Sequence, residues 1–153
     1  MKRDYEREKR SNNMGLVVDT GILVELLEDS RIGREFYKNF LENRKYEKYY
    51  VSSLTDTELK YIFCRMVGYK KAKKIIREFL KDFKIYSKSN LRDHTIHFKC
   101  EFSISLADSY TLAVTLLLKI PLCMKKEKEI QENLDELSKK VNIILFGNYD
   151  SKE

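Results

Sequence analysis

Tryptophan is absent from this chain, proline occurs once and glycine five times. So few chain breakers exclude collagen-like and low-complexity architectures and leave little material for a long flexible linker. The three cysteines, Cys64, Cys100 and Cys123, are odd in number and far apart, with no CxxC pair. That spacing argues against a disulfide framework or a zinc site and for a reducing, cytoplasmic setting, with the thiols as buried filler. Only two histidines are present, His94 and His97, and neither has a fitting partner for metal or nucleophilic chemistry. No apolar run reaches the roughly 18–20 residues of a membrane span. The longest, Leu112 to Met124, is interrupted by Thr115, Lys119 and Pro121. A soluble protein without a membrane partner is expected.

What is present is a core under a charged coat: 42% of the residues are hydrophobic and 35% charged. A length of 153 residues suits one domain. The net charge of +6 favours a polyanionic partner such as nucleic acid, though weakly. Residues 1–13 are almost wholly polar and lack the apolar centre of a secretory signal, so they are expected to form a disordered extension. A domain over 14–148 and a short polar tail over 149–153 complete the expected division.

Residues 15–18, GLVV, form an unbroken apolar run that suits a strand buried on both faces. From Thr20 the pattern becomes helical, with Ile22, Leu23, Leu26 and Leu27 on one side. A second helix is expected over Arg31 to Asn43, then a short strand at Tyr49 to Val51. Helices follow from Thr55 to Val67, with Leu59, Ile62, Phe63 and Met66 inward, and from Tyr69 to Asp82. Gly68 is the expected stop between them. Phe83 to Tyr86 reads as a minor strand, and Leu91 to Ser103 as a helix carrying Ile96 and Phe98. Leu106 to Leu118 reads as a buried helix and Leu122 to Met124 as a strand. A charged helix to Leu137 precedes a closing strand from Val141 to Phe146. Short apolar strands alternating with helices predict an α/β fold with a mainly parallel sheet flanked by helices.

In such a sheet, functional groups gather beyond the carboxyl ends of the strands. Asp19 directly follows the first strand, Glu58 lies one turn into the helix after the second, Asp108 is in the first turn of the buried helix, and Glu127 follows Met124. Each has a plainer reading. Asp19 would serve as a helix N-cap, Glu58 and Asp108 complete capping boxes with Thr55 and Ser105, and Glu127 sits in the charged run KKEKE. Four carboxylates brought together repel one another and lose solvation unless a cation sits among them, and Mg²⁺ is the natural partner for oxygen ligands.

These segments resemble the PIN-domain family, and within it the VapC-type toxins, over Met14 to Phe146. Leu16 to Leu23 is similar to a first motif of a strand, Asp-Thr and a small residue. Ser53 to Leu59 resembles a second, with an acid before Leu. ISLADSYTLA, from Ile104 to Ala113, resembles the third and most specific. In the fourth region the family tends to show Thr-x-Asp with a further acid and an aromatic. This chain has Lys125, Lys126, Glu127, Lys128, Glu129 and Ile130, so acids are kept but Lys125 replaces the hydroxyl.

The resemblance implies a metal-dependent endoribonuclease. Asp19, Glu58 and Asp108 would hold Mg²⁺ or Mn²⁺, and Glu127 would contribute from further out. A metal-activated water would cut a phosphodiester, leaving a 5′-phosphate and a 3′-hydroxyl. Thr20 would help fix Asp19 or the substrate. Lys125, Lys126 and Lys128 near the metal, and Lys70 and Lys74 on a helical arm, would meet the RNA backbone. A small antitoxin and a homodimer are the implied protein partners. Two alternatives remain open: a housekeeping RNA-processing nuclease without antitoxin, and a catalytically weak PIN-fold module that binds RNA or protein.

Overall fold

The computed structural model describes residues 14–147; the expected polar extension, the tail and the last residue of the expected domain lie outside the described residues. Five short strands form one sheet: β1 (Gly15–Val18), β2 (Lys48–Ser52), β3 (Phe83–Tyr86), β4 (Leu122–Lys125) and β5 (Ile143–Phe146). Their order is β3-β2-β1-β4-β5, and every neighbouring pair is parallel. The chain therefore moves outward from β1 to β3, returns across the sheet, and moves outward again from β4 to β5. The direction reverses between β1 and β4, which is where an open parallel sheet parts its loops into a crevice.

Helices cover both faces, as a parallel sheet requires. The first four are α1 (Thr20–Leu27), α2 (Arg31–Phe36), α3 (Ser53–Val67) and α4 (Tyr69–Phe79). They bury Ile22, Leu23, Phe36, Leu59 and Ile76 against Leu16, Val18, Val51 and Cys123. On the other face, α5 (Leu91–Glu101), α6 (Leu106–Leu118), α7 (Lys128–Glu132) and α8 (Leu134–Ser138) pack Phe98, Leu112, Val114, Ile130 and Leu137 against Val17, Leu122 and Met124. Alternate residues of β1 and β4 thus serve opposite cores, following the period-two pleat. This is why their sequences read as unbroken apolar runs.

Helix starts are set by side-chain caps. Ser30 Oγ accepts from the Gly33 N–H, Ser52 Oγ from the Thr55 N–H and Ser105 Oγ from the Asp108 N–H, each at 3.0 Å. Gly68, at φ 86°, ends α3 and opens α4 as expected, a conformation that L side chains rarely adopt.

The structure also corrects several expectations. The second helix widens into a π-turn over Tyr37–Leu41. The charged segment before β5 is two short helices, with Asn133 at the break. Met66, expected inward, is 65% exposed, and Ile96 on α5 is 58% exposed, so the buried stripes of α3 and α5 are narrower than their apolar residues suggest. Cys100 is exposed and Cys64 half-buried, leaving Cys123 as the only fully buried thiol among the described residues. No helix among these residues is long and apolar enough to cross a membrane.

Candidate metal centre

Asp19 leaves β1 at the crevice and is only 3% exposed. Its N–H donates to the Cys123 carbonyl at 3.1 Å, which ties it to β4. Its Oδ1 accepts from the Ile22 N–H at 3.0 Å and so caps α1. Its Oδ2 accepts a longer bond, 3.4 Å, from the Lys125 N–H. One side chain thus caps α1 and reaches the end of β4. Burial pushes the Asp19 carboxyl up to about 8, against the pull of the Ile22 N–H, and the charges of Asp108 and Glu127 push it further.

Asp108 stands in the first turn of α6, below its cap Ser105. Its carboxyl is pushed up to about 6, chiefly by burial. The Ser105 hydroxyl opposes this, and Glu127, Glu58 and Glu129 add to it. Asp19, Asp108 and Glu127 thus lie within one another's field and Glu58 within that of Asp108, although the four come from separate stretches of chain.

Glu58 is held differently from its expected capping box. Ser52, not Thr55, caps α3. Thr55 is buried instead, and its hydroxyl lies 3.1 Å from both Ser52 Oγ and Thr20 Oγ1. Thr20 in turn donates to Glu58 Oε1 at 2.8 Å. A line of hydroxyls running from the end of β2 through α1 therefore aims Glu58 at the crevice.

Gly21 leaves an opening above Asp19. A Cβ placed there would stand 3.6 Å from both Asp19 Oδ2 and Glu127 Oε1, and 3.4 Å from Lys125 Cβ. The two carboxylates face each other across a space that any other residue would begin to fill. Among the described residues no three acidic, histidine or cysteine side chains stand close enough to grip an ion as they are. Carboxylate oxygens are the donors that a hard divalent cation such as Mg²⁺ or Mn²⁺ takes, and Asp19, Glu58, Asp108 and Glu127 are the residues here that could supply them.

The lysines divide. Lys125 and Lys126 are half-buried at the end of β4, beside the carboxylates. The Lys125 ammonium, however, pairs with Glu25 at 2.5 Å. Lys128 is exposed and 3.8 Å from Glu132. Lys70 and Lys74 are exposed on α4, which starts only after α3 has run nine residues beyond Glu58, roughly 13 Å of helix. His94 and His97 open instead into a separate cleft with Glu101 and Lys140. Sequence reading missed Glu25 and Ser52. A lysine standing among acids in place of a hydroxyl was the one signal that a further acid had to be close.

The protein is thus an α/β domain with acidic side chains placed at the reversal point of its parallel sheet. A family profile described as PIN domain matches residues 16–137, and the chain belongs to that family. Its fold is similar to VapBC2 from Rickettsia felis, solved bound to a promoter DNA fragment. That match has TM-score 0.69 and 14% identity, and covers 88% of this chain and 100% of the other. VapBC-1 from nontypeable Haemophilus influenzae matches with TM-score 0.62 and 17% identity, over 86% of this chain and 97% of the other. A toxin–antitoxin complex from Klebsiella pneumoniae matches with TM-score 0.61 and 18% identity, over 75% and 89%. Among curated protein sequences nothing matches.

Proposed function

We propose that this PIN-domain protein is a divalent-metal-dependent endoribonuclease of the VapC toxin type. The observation that carries the proposal is Asp19: a buried carboxyl at the sheet's reversal point that has Asp108 and Glu127 close enough to disfavour its charge and the space at Gly21 beside it. Membership in the PIN family and the likeness to toxin–antitoxin structures support the same reading.

Asp19, Glu58 and Asp108 would hold Mg²⁺ or Mn²⁺, with Glu127 at the margin. Such an ion, when bound, supplies charge neutralisation at the phosphate and a more acidic water. The protein's own residues do the rest. Thr20 and Thr55 fix the direction of Glu58. Burial keeps Asp19 in one geometry, and its cap bond to Ile22 prevents it from swinging out. Lys126 and Lys128 stand where an RNA backbone would pass, and Lys70 and Lys74 offer a second, more distant contact. Since the solved neighbours are toxin–antitoxin complexes, a small antitoxin is the proposed protein partner, with a homodimer as the proposed assembly and the cytoplasm as the proposed location.

A second reading, a PIN module that binds RNA or protein without cutting, draws on Lys125, which stands where the family carries a hydroxyl. One experiment separates the two. Purified protein is incubated with total RNA in Mn²⁺ or in EDTA, beside Asp108→Asn. Cleavage in Mn²⁺ that is lost in EDTA, and falls by more than about 100-fold in Asp108→Asn, supports the enzyme. RNA retention without cutting under either condition supports the binder. Growth arrest on expression, abolished by Asp19→Asn, distinguishes a toxin from a housekeeping nuclease.

A further inference from the structure

Lys125 is rooted in the carboxylate centre. Its N–H reaches Asp19 Oδ2, and its Cβ lies 3.4 Å from where a Gly21 side chain would begin, beside Glu127. A flexible ammonium anchored at that point starts beside the carboxylates of Asp19 and Glu127. Coulomb attraction alone would draw it inward, where it would occupy the place of a divalent ion and neutralise the carboxylates meant to bind it.

The side chain turns the other way. Its Nζ meets Glu25 Oε1 at 2.5 Å, with the two side chains only 28% and 14% exposed. Glu25 lies on α1, one helical turn beyond Gly21 and on the same face, so it presents its carboxylate beside the centre but outside it. The pair lines a cleft of about 380 Å³ with Ser30, Arg31 and Glu35. Burial favours a protonated Glu25, but the ammonium and Ser30 outweigh it and hold the carboxyl below its usual range. Partial exclusion from water makes such a pair stronger than one on an open surface.

We propose that Glu25 is a positioning residue that holds the Lys125 ammonium out of the carboxylate centre and keeps that centre open to a divalent cation. The proposal rests on the metal-binding reading above and specifies how this chain accommodates a lysine where its family carries a hydroxyl. Glu25 touches neither metal nor substrate. It acts through Lys125 alone.

The test is calorimetric titration of Mn²⁺ into the purified chain without RNA, with circular dichroism to confirm folding. Glu25→Gln releases the ammonium and is expected to weaken Mn²⁺ binding about tenfold or more. Lys125→Met removes the internal competitor and is expected to bind at least as tightly as the wild type. The double variant Glu25→Gln with Lys125→Met is expected to recover wild-type affinity. A role of Glu25 in folding alone predicts no such recovery. Equal affinity in Glu25→Gln and wild type, or no rescue in the double variant, overturns the proposal and leaves the metal centre standing. Mn²⁺ bound by Lys125→Met but not by wild type also overturns it, because the ammonium would then already lie among the carboxylates. Mn²⁺ bound by neither protein ends the metal reading itself, and this proposal with it.

Discussion

Thr20 Oγ1 donates to Glu58 Oε1 at 2.8 Å while lying 3.1 Å from the hydroxyl of Thr55, so one threonine joins the start of α1 to the acid of α3. A hydroxyl has one proton to give. The Thr20 hydroxyl faces both acceptors, and the shorter contact, to the charged Glu58 carboxylate, is the stronger. Thr20→Val keeps the shape and removes the donor. Loss of a group that orients a metal-binding carboxylate typically costs about 10–100-fold in affinity or activity. Mn²⁺-dependent RNA cleavage by Thr20→Val should fall within that range with an unchanged melting curve, and Thr20→Ser should retain most of the rate. Equal rates in Thr20→Val and wild type would show that Glu58 needs no such support.

The raised carboxyls make stability depend on pH in a definite direction. Asp19 and Asp108 move from the ordinary 3.8 to about 8 and about 6 in the folded protein. Below pH 3.8 both states hold these protons and nothing is lost. As pH rises further, the unfolded chain releases protons that the fold retains, so folding is penalised increasingly until the folded groups themselves ionise. The loss from Asp108 is complete above about pH 6, and that from Asp19 above about pH 8. In EDTA, Tm should therefore fall between pH 5 and pH 8, and Mg²⁺ or Mn²⁺ should raise it most at the upper end. Asp19→Asn should be more stable than the wild type at pH 8 in EDTA, by about 1–3 kcal/mol or roughly 3–10 °C in Tm. The sign is the test: a less stable Asp19→Asn would mean that the carboxylate is not under strain.

The sheet, its parallel order and the positions of Asp19, Glu58 and Asp108 were legible because they depend on local signals. GLVV can be buried on both faces only in a covered sheet, and an acid directly after such a strand stands at its carboxyl edge. That Asp108 and Glu127 come near Asp19 follows from their places beyond strand ends in a parallel sheet. The support around them was not legible. Ser52 rather than Thr55 caps α3, because β2 runs one residue further than its aromatic residues suggest and brings Ser52 to the helix start. The contact between Glu25 and Lys125 spans 100 residues of chain and follows from the pairing of β1 with β4, which no window of sequence contains. Met66 misled for the opposite reason: apolar character and helical spacing do not reveal that no partner covers that face.

Helices α1 and α2 approach closely at Gly33, and this contact sets the base of the centre. A Cβ at Gly33 would fall 2.2 Å from the Glu25 carbonyl oxygen and 2.8 Å from the Leu26 nitrogen, both backbone atoms that cannot turn aside. Gly33→Ala must push α2 away from the helix that carries Asp19 at its cap, together with Thr20 and Glu25. Overpacking of this kind costs about 1–3 kcal/mol, and the upper part of that range is expected where the obstacle is main chain. Urea denaturation should show the midpoint shift, and Mn²⁺ affinity should drop with it, because both come from the displacement of α1.

Gly21→Ala should separate those two properties. Its Cβ would meet Lys125 Cβ at 3.4 Å and the two carboxylate oxygens at 3.6 Å, all ordinary contacts, so the fold has room for it. Position 21 is in the first turn of α1, where alanine should stabilise the helix by up to about 0.5–1 kcal/mol relative to glycine. The same methyl group enters the opening between Asp19 and Glu127, where an ion and its waters would have to sit, and a cation that keeps its waters tolerates such crowding poorly. Denaturation in EDTA should therefore show an equal or higher midpoint, while calorimetry shows Mn²⁺ binding weakened about tenfold or more. If stability and metal affinity instead rise or fall together, the space above Asp19 is a packing gap and the ion, if one binds, sits elsewhere.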